Sequence, residues 1–230
     1  MKYRHLFFDL DHTLWDFEKN ASETLRTLYA RHGFARFGTF TVEEFMRVYS
    51  DINHALWRMY QNGKIDQQQL RDVRFHRTLT RLGVPEEQIP PGISAEFTDI
   101  LPQKTAVFPH THEVLDYLRP RYRLHLITNG FQDVQGLKLA SSGLTDYFEE
   151  VITSEHSGHL KPDPRMFAHA LARTGATAAE SLMIGDNLEC DVLGAHNAGI
   201  DQVYFNPDKR RHFNTITYEI SSLRELRDFL

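Results

Sequence analysis

The sequence predicts an α/β fold, a parallel sheet covered by helices on both faces with an all-helical segment inserted after the first strand. Three observations carry this expectation. The run Leu6-Phe7-Phe8 leading into Asp9-Leu10 is apolar on both faces and too short for a helix, as a central strand of a parallel sheet must be. From residue 107 onward, apolar runs at 123–128, 149–153, 182–185 and 202–205 alternate with helical stretches near 110–119, 131–142, 163–174 and 190–198. Between these two regions the periodicity is helical only, so the expected division is a core of residues 1–15 and 103–230 with a helical insertion over 16–102.

Each inserted helix carries its own punctuation. Ala21, Leu25, Leu28 and His32 share one face of a helix that Gly33 ends. Thr41 with Glu44 forms a capping box for a second helix bearing Phe45, Val48, Tyr49, Ile52, Leu56 and Met59, which stops at Asn62-Gly63. Asp66 with Gln69 repeats the device for a third helix carrying Leu70, Val73, Arg77 and Leu79 to Gly83. Pro85, Pro90 and Pro91 mark the exit, and a short helix around Ile93, Phe97 and Ile100 returns the chain. In the core segment Asp163 is placed to cap, Pro164 to open and Gly175 to close one helix, and Ser221 or Ser222 caps a last one through Leu223, Leu226 and Leu230.

Composition narrows the function classes. With 230 residues, 41% hydrophobic and 25% charged, the chain has the make-up of a packed globular protein. A net charge of −5 gives no general attraction to nucleic acid or anionic lipid, so any anion must be bound locally. The N-terminal residues run straight into the first strand with no apolar signal region, and no window has the length of a membrane span, so a cytoplasmic location is expected. The single cysteine, Cys190, excludes an intrachain disulfide and reads as a small buried hydrophobe. Thirteen histidines invite a zinc reading, but there is no His-Glu-x-x-His and no cysteine pair; only His110/His112 and His156/His159 lie close together. The cluster Lys209-Arg210-Arg211 reads as a solvated surface turn.

The chemistry gathers at strand ends. Asp9 closes the first strand, where ligands of open α/β sheets bind, and Asp11 follows two residues later. Two buried carboxylates need a cation, a shared proton or water; magnesium, which takes one or two protein carboxylates plus phosphate and waters, answers this most simply, whereas a solvated turn needs none of it. Thr128-Asn129-Gly130 offers a hydroxyl, an amide and open backbone N–H groups to an anion, although the same tripeptide also makes an ordinary turn. Lys161 stands before two prolines that restrict its backbone, either as a site cation or as a charged loop residue. Asp186 stands at the end of Leu182-Met183-Ile184-Gly185 as Asp9 does at its strand, and Asp191 starts the next helix, where an N-terminal acid is equally at home. All four segments sit at strand ends in an order that brings acids, hydroxyl, amide and lysine round one crevice.

These residues resemble the four motifs of the haloacid dehalogenase-like hydrolase superfamily, as Asp9-Leu10-Asp11-His12-Thr13, Thr128-Asn129, Lys161-Pro162 and Gly185-Asp186 with Asp191. The resemblance implies a Rossmann-like, doubly wound core with strand order 5-4-1-2-3 or similar, and makes the helical insertion a cap. It implies that Asp9 is a nucleophile forming an aspartyl-phosphate and Asp11 the acid that protonates the leaving oxygen and then activates water. Thr128 and Asn129 would hold phosphoryl oxygens, and Lys161 would neutralise charge on nucleophile and phosphate. Mg²⁺ would be bound by the Asp9 carboxylate, the Asp11 backbone carbonyl and Asp186, with Asp191 orienting or completing the shell. The second acid, Asp11, is similar to the phosphatases of the superfamily and unlike its metal-free dehalogenases. His12 departs from the pattern, since many relatives carry glycine there.

Within the superfamily, Asp9-Leu10-Asp11-His12-Thr13-Leu14-Trp15-Asp16-Phe17 and the segment 53–65, followed by Arg74-Phe75, are similar to pyrimidine 5′-nucleotidases of the bacterial house-cleaning type. Asn53, Trp57 and Tyr60 recur at i, i+4 and i+7, on a face distinct from that of Ile52, Leu56 and Met59. An aromatic there could stack on a base while Asn53 or Arg74 reads its polar edge; the alternative is that these residues fill the cap interior. The expected substrate is a small phosphate ester, a pyrimidine nucleoside monophosphate first. A sugar-phosphate phosphatase or phosphomutase on the same core is the competing enzyme. A receiver-like phospho-accepting module is the competing signalling protein, although receivers place the acceptor on a middle strand and lack a large helical insertion.

Overall fold

The computed structural model describes residues 2–230, which form two units, one of residues up to Phe17 together with Lys104–Leu230 and one of Glu18–Gln103. Strand β1 (His5–Phe8) is buried along its whole length. Helix α1 (Phe17–Arg31) turns Ala21, Leu25 and Leu28 inward and ends before Gly33, whose φ of 60° is the left-handed conformation a glycine adopts without Cβ strain. Helix α2 (Val42–Gln61) opens on Thr41, whose hydroxyl accepts from the Glu44 N–H at 3.2 Å. Helix α3 (Gln67–Arg81) opens on a complete capping box, Asp66 accepting from Gln69 N–H at 2.7 Å and Gln69 accepting from Asp66 N–H at 3.0 Å. Helix α4 (Ile93–Ile100) follows the proline-rich turn.

The helical unit is built round aromatic rings. Tyr49 lies 4.9 Å from Phe75 and 5.2 Å from Phe97, centroid to centroid, and Phe75 lies 5.3 Å from Phe97, all tilted or edge-on as ring quadrupoles prefer. Two expected faces are corrected by this packing. On α2 the buried face is Phe45, Val48, Tyr49, Asn53 and Leu56, so Asn53 lies with Leu56 rather than opposite it, while Ile52, Met59 and Trp57 are half-buried. On α3 it is Leu70, Arg74, Phe75, Thr78 and Leu79; Arg77 is exposed, because the i+4 neighbour of Leu70 is Arg74 and not Val73.

The other unit resumes with α5 (Thr111–Leu118), β2 (Arg123–Thr128), α6 (Gln132–Ser141), β3 (Glu150–Thr153), the single turn α7 (Ser154–Ser157) and α8 (Pro164–Thr174). Asp163 caps α8 through the Arg165 N–H at 2.9 Å. Strand β4 (Ser181–Gly185) leads into a wide π-helical turn, Leu188–Leu193, that continues as α9 (Gly194–Asn197), and β5 (Asp201–Phe205) follows. A short sixth strand, β6 (Tyr218–Ile220), extends the sheet, and the chain closes in 3₁₀ turns over Leu223–Asp228 capped by Ser222, where a regular helix was expected.

All six strands are parallel, in the order β3-β2-β1-β4-β5-β6. The first five reproduce the expected doubly wound order. The register pairs Leu6 with Leu124 and Leu182, and Phe8 with Leu126 and Ile184, giving one apolar face. The opposite face packs Phe7, Ile127, Ile152 and Met183 against Met166, Phe167 and Ala170 of α8 and Ala195 of α9. Strand order reverses at β1, so the crevice predicted for such sheets opens beyond the carboxyl ends of β1 and β4. Among the described residues, no helix is long and apolar enough to cross a membrane.

Candidate active site

The Asp9 N–H donates to Ile184 O at 2.9 Å, so the sheet ladder fixes the backbone of this acid one residue beyond β1. A tight turn follows, in which Leu10 O accepts from the N–H groups of Leu14 at 3.0 Å and Trp15 at 2.8 Å. His12 adopts φ 64° in this turn, which explains why glycine suits the position. The turn sends Thr13 towards β4, where its hydroxyl donates to Asp186 Oδ1 at 3.2 Å and accepts from the Asp186 N–H at 3.1 Å.

Carboxylate oxygens of Asp9, Asp186 and Asp191 all lie within 4.8 Å of one another. Asp191 reaches this cluster because the π-helical turn rotates it inward, and it is almost fully buried. It also serves as an acid of that segment's first turn, its Oδ2 accepting from the Asn187 N–H at 3.0 Å. Asn187 is the N-cap, its side chain accepting from the N–H groups of Glu189 at 3.1 Å and Cys190 at 2.9 Å. Gly185 makes room for Asp191, since a Cβ at 185 would stand 2.4 Å from Asp191 Cγ.

Lys161, 2% exposed, places all three ammonium donors: on Asp9 Oδ1 at 2.6 Å, on Asp191 Oδ1 at 2.6 Å and on Ile127 O at 2.7 Å. Asn129 holds that lysine's backbone from both sides, accepting from its N–H at 2.8 Å and donating to its carbonyl at 2.9 Å. One Asn129 amide proton is therefore spent on positioning Lys161, and its second proton and backbone N–H are what it can offer an anion. The Thr128 hydroxyl accepts from the N–H of Gly130 at 3.0 Å and from Gln135 Nε2 at 2.7 Å. Both lone pairs are taken, which turns its own proton outward as a donor.

The Asp11 carboxylate stands apart from the three clustered acids. Lys138 Nζ donates to its Oδ1 at 2.6 Å and Gln135 Nε2 to its Oδ2 at 3.0 Å. The sequence reading missed both α6 residues. Their signal was the irregular pattern of that helix, in which Leu137 is 53% exposed while Gln135 and Lys138 are buried.

Three clustered carboxylates against one ammonium leave two negative charges in excess. The protonation behaviour reflects it. Burial, aided by the neighbouring charges of Asp191 and Asp11, pushes Asp9 up to about 7 despite Lys161. Burial together with Asp191 and Asp9 holds Asp186 well above the usual carboxylate range. Burial alone would lower Lys161, but Asp191 and Asp9 outweigh it and raise it. For Asp11, burial acts upward and the charge and hydrogen bond of Lys138 overcome it, so that acid is lowered. An all-oxygen set with an uncompensated charge of this size fits a hard divalent cation.

The helical unit places its three candidate residues differently. Asn53 is buried with Oδ1 lacking a hydrogen-bond partner among the described residues. Arg74, 7% exposed, donates from Nη2 to Thr98 Oγ1 at 2.9 Å, stacks 4.6 Å above Phe97 and faces the buried Tyr49 hydroxyl. Trp57 is half-buried, edge-on to Tyr60 at 5.7 Å.

A family model described as haloacid dehalogenase-like hydrolase matches residues 3–199. The chain is 34% identical to the pyrimidine 5′-nucleotidase PynA of Streptococcus pneumoniae over 100% of its own length and 96% of that protein. It is equally 34% identical to the pyrimidine 5′-nucleotidase YjjG of Escherichia coli K12, over 100% of this chain and 99% of that one. Among solved structures, YfnB from Bacillus subtilis, described as bound to magnesium, superposes with a TM-score of 0.87 at 28% identity, covering 99% of this chain and 98% of that one.

Proposed function

The chain belongs to the haloacid dehalogenase-like hydrolases, and from that premise we propose that it is a magnesium-dependent phosphomonoesterase of the cytoplasm, acting first on pyrimidine nucleoside 5′-monophosphates. The observation that carries the reading is the Asp9 carboxylate, held by Lys161 beside Asp186 and Asp191 at the sheet's switch point.

On this reading Asp11, ionised beside Lys138, takes a proton from the phosphate monoanion as substrate binds; Asp9 attacks phosphorus, the ester oxygen leaves with that proton, and an aspartyl-phosphate remains on Asp9. Asp11 then takes a proton from the water that attacks this intermediate and returns it to the released phosphate, restoring both acids. Thr128 and Asn129 donate to the phosphoryl oxygens. Lys161 favours the ionised form of Asp9 and orients it, and places fixed positive charge where the transferring group gathers negative charge. The carboxylates of Asp9, Asp186 and Asp191 and the backbone carbonyl of Asp11 would hold magnesium. When bound, it supplies charge neutralisation for the clustered acids and the phosphoryl group.

Asn53, Trp57 and Arg74 are the residues we assign to the base. Asn53 Oδ1 supports this, because a buried polar atom without a partner among the described residues costs roughly 1–3 kcal/mol and is retained where a ligand uses it. The 34% identity to two pyrimidine 5′-nucleotidases over the whole chain supports it independently. The test is a phosphate-release screen with Mg²⁺ over pyrimidine and purine nucleotides, hexose phosphates and triose phosphates, with product analysis for transfer to a second hydroxyl. Pyrimidine nucleotides should lead and free nucleoside should match free phosphate. A screen led by sugar phosphates would overturn the nucleotide assignment, and no turnover of any ester would overturn the phosphatase.

A further inference from the structure

Helix α6 follows Thr128-Asn129-Gly130 with Phe131 as its N-cap and carries Gln135 and Lys138 three residues apart, on one face. Both are buried, Lys138 at 4% exposure, and neither belongs to the four motifs. Lys138 lies 4.6 Å above the Trp15 ring and 5.8 Å from that of Phe17, so the ammonium stands on an aromatic floor while it donates to Asp11 Oδ1. Gln135 spans two partners with one amide nitrogen, Asp11 Oδ2 and the Thr128 hydroxyl. Space has been kept for it, since a Cβ on Gly130 would meet Gln135 Nε2 at 2.2 Å.

Stability alone does not account for this arrangement. A buried ion pair is often no more stabilising than apolar side chains of similar volume, and Gln135 Oε1 is left buried without a partner among the described residues. What the two residues do achieve is geometric. They fix both oxygens of a carboxylate whose side chain would otherwise rotate, and they tie it to the hydroxyl that faces the phosphoryl group.

We infer that Lys138, with Gln135, is the positioning residue for Asp11: α6 sets where the acid/base carboxylate stands and couples that placement to Thr128. The inference rests on the acid/base role given to Asp11 above. A general acid acts only within hydrogen-bond reach of the leaving oxygen, and misplacement by about 1 Å costs on the order of 10²-fold in rate.

The test compares an alkyl ester, a nucleoside 5′-monophosphate, with p-nitrophenyl phosphate, whose leaving group departs without a proton. Lys138→Met should lower phosphoenzyme formation from the nucleotide by about 10²-fold and from the aryl ester by less than about tenfold. Because the same carboxylate activates water, acid-quenched phosphoenzyme should accumulate with the aryl ester. Lys138→Arg, which keeps a cationic donor, should recover part of the loss, and Lys138→Gln serves if the methionine variant does not fold. Equal losses on both esters without accumulation, alongside a lowered Tm, would make Lys138 structural and overturn the inference. Asp11→Asn in parallel separates the two levels. If it shows the leaving-group dependence and the Lys138 variants do not, the positioning role alone falls. If Asp11→Asn itself shows none, the acid/base reading falls and the inference with it.

Discussion

Replacing Lys161 by methionine keeps the length of the side chain and removes the one cation among three clustered acids. The wild-type ammonium makes three contacts of 2.6, 2.6 and 2.7 Å while 2% exposed, so its loss strands Asp9 and Asp191 rather than returning them to water. Removing one partner of a buried ion pair costs about 3–5 kcal/mol. For a protein of this size each kcal/mol moves the midpoint by about 2–4 °C, so the variant should melt roughly 6–20 °C lower in chelator. Added Mg²⁺ should recover part of that loss, with a larger rise in Tm than in the wild type, because the variant's acids have no other neutraliser. Catalysis should fall by on the order of 10²–10³ in kcat, the scale for one preorganised charge-stabilising donor. Differential scanning fluorimetry across a Mg²⁺ series and steady-state phosphate release measure the two effects. A variant with wild-type Tm and kcat, or one whose Tm no longer responds to Mg²⁺, would refute the charge balance drawn for the site.

Three further outcomes follow from particular contacts. Gly185→Ala should displace Asp191, whose Cγ lies 2.4 Å from the added Cβ, costing about 1–3 kcal/mol and weakening Mg²⁺ binding by calorimetry, whereas Gly136→Ala on exposed α6 surface should stabilise by about 0.5–1 kcal/mol. Burial lowers His125 to about 4, and His5, stacked on it with Nδ1 3.0 Å from its Nε2, is lowered too. Below its ordinary 6.5 the unfolded chain takes a proton that the folded one refuses, so stability present above 6.5 drains as the pH falls towards 4, by on the order of 3 kcal/mol. Urea unfolding over that window should show the decline and His125→Leu should flatten it; a wild-type stability that rises on acidification would contradict the pairing. Trp57→Ala should raise KM for a nucleotide by about 5- to 150-fold, the worth of one base–aromatic stack, and leave a small aryl phosphate nearly unaffected. Equal impairment of both, with a lower Tm, would make Trp57 structural.

The fold was legible wherever a local rule and the burial agreed. Thr41, Asp66, Asp163 and Ser222 each cap the element expected of them, and the double-sided apolar run of β1 is the central strand. β6 was not legible, because Tyr218-Glu219-Ile220 is too short to show a period. Asp9 and Asp186 could be read from their place at strand ends. Asp191 could be found but not oriented, since an acid early in a helix looks the same whether it serves the helix end alone or a π-helical turn also carries it inward. Gln135 and Lys138 escaped notice because polar residues on a helix are ordinarily solvated, and only the fold of Asp11 back onto α6 buries them. Asn53 was placed with Trp57 and Tyr60 on a face distinct from that of Leu56, and only the packing shows that its i+3 spacing to Leu56 buries the two together.

The central claim is that Asp9 carries the phosphoryl group between ester and water. Rapid acid quench of a single turnover with ³²P-labelled nucleotide in Mg²⁺, followed by peptide mapping, tests it most directly. The account predicts acid-stable, hydroxylamine-sensitive label on the peptide containing Asp9, present transiently in the wild type and absent from Asp9→Asn. Label on any other residue, or complete phosphate release by an Asp9→Asn enzyme at the wild-type rate, would contradict it.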